Sequence, residues 1–210
     1  SIWYLKDSET PYTGTITGGE VAITDCDEAT TGELVIPDTI EGNPVTSIRG
    51  STFWGCESLT GITIPDGVTS IGAAAFLRCS SLKSITIPDN VISIGKSAFA
   101  YCTSLPSITI PDSVPSIGEY AFGECASLTA VTFLGDAPKE GKEVFKDSVP
   151  TIYRKPEAKG WGDTFAGRPV KLISSEALVD SIQRKVELAQ FVSALSLIDS
   201  FLLKYPDDPK

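Results

Sequence analysis

The chain has 210 residues, is 41% hydrophobic and 21% charged, and carries a net charge of −10. Such a composition belongs to a folded chain, and the acidic balance disfavours sequence-independent binding to nucleic acid or anionic lipid, which takes clustered Lys and Arg. No apolar run approaches the roughly 18–20 residues of a membrane span, and with no histidine in the sequence there can be no Ser–His or Cys–His nucleophile pair. A chain that begins at Ser1 and contains no Met reads as a trimmed or mature form that has lost a targeting segment.

Residues 1–33 read as an N-terminal cap. Ile2-Trp3-Tyr4-Leu5 is a short apolar strand, and the runs 13–17 and 20–24 flank a Gly18-Gly19 turn as a hairpin. Cys26 follows the hairpin.

Residues 34–150 are predicted to form about five stacked coils. The phrase SLKSITIPDNVISIGKSAFAYC, Ser81 to Cys102, occurs one step earlier from Ser58 and one step later from Ser104, each step being 23 residues. A period in this range marks a solenoid. Phe53, Phe76, Phe99 and Phe122 recur in register, as do Cys56, Cys79, Cys102 and Cys125, and Ile48, Ile71, Ile94 and Ile117. Alternation in Leu82–Ile87 gives the main strand, with Ile85 and Ile87 facing inward and Thr86 outward. Pro88-Asp89 turns the chain, Val91 to Ile94 forms a shorter extended segment, and Gly95 permits a tight corner. The run Ser97–Cys102 is expected to make one short helical turn with Phe99 and Cys102 inward. At about 4.8 Å per coil the array would span roughly 20–25 Å. The first coil, 34–56, has five extra residues around 40–44 that are expected to bulge as a turn, and the last, 128–150, is degenerate and lacks the Cys.

Residues 151–173 read as a closing cap, with Trp161 and Phe165 over the open end. Residues 174–210 show helical spacing and read as a helical tail, either one helix or a hairpin. That tail is the candidate for assembly into a homo-oligomer. The fold class is thus mainly β, a solenoid of right-handed coils with parallel strands and short helical turns, followed by an α-helical segment.

All five cysteines are expected to be buried free thiols, because a column repeats geometry and not pairing. No Cys-x-x-Cys pair and no histidine is present, so no metal and no other cofactor is expected. The recurring Asp38, Asp66, Asp89 and Asp112 follow Pro in turns, where backbone bonding is the ordinary role.

The phrase SLxSITIPDxVxSIGxxAFxxC resembles the BspA-like leucine-rich repeat family over about residues 31–150, and the 133–170 stretch resembles the ending seen in many bacterial members. The tail resembles no part of it. The resemblance implies a bacterial or protist protein, secreted or at the cell surface, acting as an adhesin on host matrix or on another cell's proteins. No catalytic set stands out, so the expected activity is binding. Binding residues are sought where coils differ. The candidates are Trp54 and Leu77 in one corner row, Arg78, Tyr101 and Glu124 in the next, Tyr120 nearby, and Lys83 on the strand face. A protein partner is the leading expectation. Glycan stacking on Trp54, Tyr101 and Tyr120, or a spacer role within a larger surface protein, are the alternatives.

Overall fold

The computed structural model describes residues 10–173; the expected apolar strand at Ile2–Leu5 and the helical tail over 174–210 lie outside the described residues. The hairpin forms as read. Strands β1 (Tyr12–Thr17) and β2 (Glu20–Cys26) pair antiparallel around Gly18 and Gly19, at φ 64° and 83°. Two left-handed central residues give the turn whose twist matches the flanking strands, which is why two glycines stand there. Next comes β3 (Gly32–Val35). The five extra residues of the first coil then fold as a second tight hairpin, β4 (Thr39–Ile40) against β5 (Asn43–Ile48), turning at Glu41 and Gly42.

Each following coil contributes two strands. They are β6 (Leu59–Thr63) and β7 (Ser70–Ile71), β8 (Ser84–Thr86) and β9 (Ser93–Ile94), β10 (Ser107–Ile110) and β11 (Ser116–Ile117), then β12 (Ala130–Phe133) and β13 (Lys139–Glu140). The chain ends its described part with β14 (Thr151–Arg154), β15 (Thr164–Phe165) and β16 (Arg168–Leu172). One face of the solenoid is a sheet in the order β1-β2-β5-β7-β9-β11-β13, with β4 on β5. Its parallel register places Ile48, Ile71, Ile94 and Ile117 in one column. The opposite face is two sheets, β3-β6-β8 and β10-β12-β14-β16-β15. The array is longer than five coils. β14, which the sequence reading assigned to the closing cap, continues β12 without a slip, Ala130 opposite Thr151 and Val131 opposite Ile152.

Strands β8 and β10 do not pair, and a proline explains the break. At the start of the strand, Lys83 N–H donates to Thr60 O, Thr129 N–H to Pro106 O and Thr151 N–H to Thr129 O. Pro106 has no N–H to give to Lys83 O. Ile85 is only half-buried here, while Ile62 and Ile108, its counterparts in the adjoining coils, are buried. The other face stays paired at this coil boundary, Ile94 opposite Ile117, but lacks one bond there. Thr69 N–H donates to Thr46 O, Ile92 N–H to Thr69 O and Lys139 N–H to Pro115 O. Pro115 cannot donate to Ile92 O.

The third side of each coil departs from expectation. No helix occurs among the described residues, and the Ala-Phe-x-x-Cys runs are successive turns. The three-residue step survives, since Cys102 N–H donates to Phe99 O and Tyr101 precedes it at φ 60°. The left-handed residues are what prevent a helix. They recur at Ala74 and Arg78, Ser97 and Tyr101, Tyr120 and Glu124, and Glu143 and Asp147. They aim alternate N–H groups at the next coil: Ala74 to Lys96 O, Phe76 to Ala98 O, Arg78 to Ala100 O. Backbone bonds that a helical turn would close within itself instead tie coil to coil.

The corner glycine has a different role from the one expected. Gly95 is not in the left-handed region; a Cβ there would stand 2.5 Å from Ala73 N. Glycine is kept because the backbones of adjoining coils touch at this corner. The threonine row, Thr63, Thr86, Thr109 and Thr132, is half-buried rather than fully solvent-facing.

The core is a set of columns. Phe53, Phe76, Phe99 and Phe122 stack nearly parallel, with centroids 5.0, 5.3 and 5.4 Å apart, and Phe145 extends the stack at 5.7 Å. Beside them runs a column of side-chain donors. The thiols of Cys79, Cys102 and Cys125 donate to Phe53 O, Phe76 O and Phe99 O at 3.1, 3.2 and 3.1 Å. The Cys position of the degenerate coil is not lost in function. Ser148 stands there and donates to Phe122 O at 2.7 Å, and Arg168 Nη2 takes the next place, donating to Phe145 O at 2.9 Å. Trp161 and Phe165 pack their rings on Phe133, at 5.0 and 5.2 Å.

Candidate functional site

The left-handed rows place side chains on the turn edge of the solenoid, outside the phenylalanine stack. Four of the seven candidate residues come together there. The Arg78 guanidinium lies over the Tyr101 ring, 5.8 Å from its centroid. Tyr101 meets Tyr120 at 6.4 Å with the rings tilted by 50°. The Tyr120 hydroxyl reaches Glu124 Oε1 at 3.5 Å. A cation, two aromatic rings and a carboxylate thus cross three coils in one line.

The corner row makes room for this line. It reads Trp54, Leu77, Ala100, Gly123 from coil to coil. A Cβ at Gly123 would fall 2.5 Å from the Tyr120 ring. The Tyr120 ring therefore lies on Gly123 and leans toward Tyr101. Its hydroxyl pKa is raised, first by desolvation, then by hydrogen bonding with Tyr101 and by the charge of Glu124. Lys96 and Glu119 form an exposed ion pair at 3.4 Å between adjoining coils next to Tyr120, a contact of small energetic weight.

Trp54 is 46% exposed and heads the corner row, with Leu77 after it half-buried. Neighbouring backbone joins them, since Gly55 N–H donates to Leu77 O. Lys83 is exposed at the start of the strand face, beyond the turn that Leu82 N–H closes on Cys79 O, and takes no part in the contacts that join the four. Sequence reasoning missed Asp147. Stepping 23 residues from Glu124 would have found it, and it holds the same left-handed conformation at φ 54°.

Among the described residues no three His, Cys, Asp or Glu side chains are grouped so as to hold a metal ion. Asp66 and Asp112 are exposed in turns that the main chain closes, Val68 N–H to Pro65 O and Val114 N–H to Pro111 O.

The two strand faces, the turn edge and the 23-residue step define a parallel β solenoid of leucine-rich repeats. Residues 32–151 match the BspA type leucine-rich repeat region in six copies, and the chain belongs to that family. It resembles the crystal structure of the Treponema pallidum leucine-rich repeat protein, at 31% identity and a TM-score of 0.61 over 68% of each chain. A leucine-rich repeat protein from Bacteroides capillosus is 35% identical, with a TM-score of 0.53, over 62% of this chain and 97% of that one. The pneumococcal vaccine antigen PcpA shares the fold at 18% identity and a TM-score of 0.59, over 82% of this chain and 43% of that one. No curated protein matches the chain.

Proposed function

We propose that the chain is a non-enzymatic recognition module displayed outside the cell, binding a protein partner through its turn edge. Arg78, Tyr101, Tyr120 and Glu124 form the centre, with Trp54 and Leu77 on the flank. One observation carries the reading. Gly55 shows that glycine is accommodated in the left-handed row, yet the next members are Arg78, Tyr101 and Glu124 at φ 64°, 60° and 57°. A side chain held in that conformation costs about 1–2 kcal/mol relative to its relaxed backbone. Strain of this kind is retained where the side chain itself is needed. Arg and Tyr are also the residue types that dominate protein interfaces. Membership of the BspA type family supports the surface location.

The test is a panel of extracellular-matrix and cell-surface proteins beside a glycan array, probed with the wild type and with an Arg78→Ala/Tyr101→Ala variant. Binding to a protein that falls at least tenfold in the variant supports the reading. Protein binding that the variant retains in full overturns it. The exposure of Trp54 favours a second reading, glycan stacking, for which the array would respond and Trp54→Ala would silence it. A blank on both would leave the spacer role.

A further inference from the structure

Cys26 and Cys56 stand apart from the rest of the cysteine column. Cys79, Cys102 and Cys125 each have a phenylalanine carbonyl of their own at 3.1–3.2 Å. No coil of that kind precedes Cys56. Its thiol reaches Asp27 O at 3.8 Å, and Cys26 Sγ reaches the same oxygen at 3.8 Å. Two sulfurs thus converge at long range on one oxygen that already accepts from Thr30 N–H at 2.9 Å and Thr30 Oγ1 at 2.6 Å, at the junction between the cap hairpin and the first coil. Cys26 is the last residue of β2 and opens onto the loop at Asp27–Thr30, where Thr30 Oγ1 lies 3.4 Å from its sulfur. The neighbouring Cys56 thiol, ahead of Thr30, lowers the Cys26 pKa against the opposing effect of burial, while that of Cys56 is raised by Cys26 and by burial. Cys26 is 7% exposed and Cys56 is fully covered.

We propose that Cys26 and Cys56 are a redox pair that closes to a disulfide under oxidising conditions, stapling the N-terminal cap to the first coil, while the other three thiols stay reduced. This physiological setting rests on the surface reading above, because disulfides persist outside the cell. The oxidant is a low-molecular-weight disulfide such as oxidised glutathione. The Cys26 thiolate attacks one of its sulfurs, forming a mixed disulfide and releasing one thiolate. Cys56 gives up its proton and attacks Cys26 Sγ, and the second glutathione leaves as a thiolate. The protein loses two electrons and two protons, and the oxidant becomes two thiols. The bond would close a loop of about 30 residues in the unfolded chain, which is how such a staple stabilises.

The test is made in vitro, so it stands independently of where the protein resides. Native protein is held in a glutathione redox buffer, quenched by alkylation in denaturant, digested without reduction and mapped by mass spectrometry. The expected result is one Cys26–Cys56 cross-linked peptide, three alkylated thiols and a melting temperature several degrees above that of the reduced protein. Cys26→Ser should abolish the cross-link and the shift. Five alkylated thiols, or a cross-link between column members such as Cys79 and Cys102, would overturn the proposal. If the serine variant does not fold, the wild-type map and melting shift decide alone.

Discussion

The repeated cysteine is best understood as a donor and not only as a small apolar filler. Each Phe carbonyl in the column is buried, and the thiol one coil on takes up its second lone pair. Ser148 and Arg168 make the case, because they share no hydrophobicity with cysteine and still donate to the equivalent carbonyls. Cys102→Ala is therefore expected to lose about 0.5–1.5 kcal/mol, the net worth of one hydrogen bond, because Phe76 O keeps its bond from Cys79 N–H, whereas Cys102→Ser should lose clearly less. Urea denaturation midpoints of the two variants would separate them, and equal losses would count against the donor role. Burial also sets a pH dependence. The thiols of Cys79 and Cys125 are pushed up to about 12, and that of Cys102 well above its ordinary value, in each case chiefly by desolvation. Above the unfolded thiol value near 9 the unfolded state has lost these protons and the native state keeps them, so stability falls with rising pH. Stability should be flat with respect to these groups below about pH 8.5 and decline by up to ~1.4 kcal/mol per unit for each thiol above about pH 9, the contributions of Cys79 and Cys125 running out near 12. Chemical denaturation across that range checks the sign. Arg78→Gly tests the left-handed row in the other direction. It should leave stability unchanged or raise it by about 1 kcal/mol while weakening partner binding.

At the scale of elements, the periodic parts were legible because packing repeats with the coil. The strands, the Gly-Gly hairpin and the Pro-Asp turns all follow from residue types whose preferences are local. The turn edge was misread as helical because Ser97–Cys102 contains no glycine, and nothing in Ser97 or Tyr101 announces a positive φ. The demand comes from the next coil, whose carbonyls must be met. Ser148 was missed for a related reason, since the sequence shows the change of letter but not the carbonyl that both letters serve. The two prolines make the boundary between β8–β9 and β10–β11 the least connected in the array. Hydrogen exchange should then resolve two cooperative blocks, one on either side of that boundary. In a Pro106→Thr/Pro115→Thr variant, with both donors restored, the blocks should merge toward a common exchange free energy. Uniform protection in the wild type would refute the two-block description.

On the scale of the whole molecule, the net charge of −10 fits poorly with any polyanion. Heparin and duplex DNA are expected to show no retention at physiological ionic strength, and retention on a heparin column would demand a basic patch that the turn edge does not offer. The candidate site was only partly legible for the same reason that the fold was legible. Core letters repeat and announce their role, whereas Arg78, Tyr101 and Tyr120 differ from coil to coil, and only contact shows that they belong together. The donor column has a consequence for how such a chain can change its length. Its ends are served by special residues, Asp27 before the first thiol and Arg168 after the last carbonyl, and every place between is interchangeable. Unequal recombination that drops one 23-residue period in frame would leave both ends fitted. Excision of residues 105–127, which joins Ser104 to Leu128, should give a shorter protein that still folds, without the proline boundary and without Tyr120. Tandem duplication would lengthen the molecule in the same quantum, making its reach a heritable count of coils.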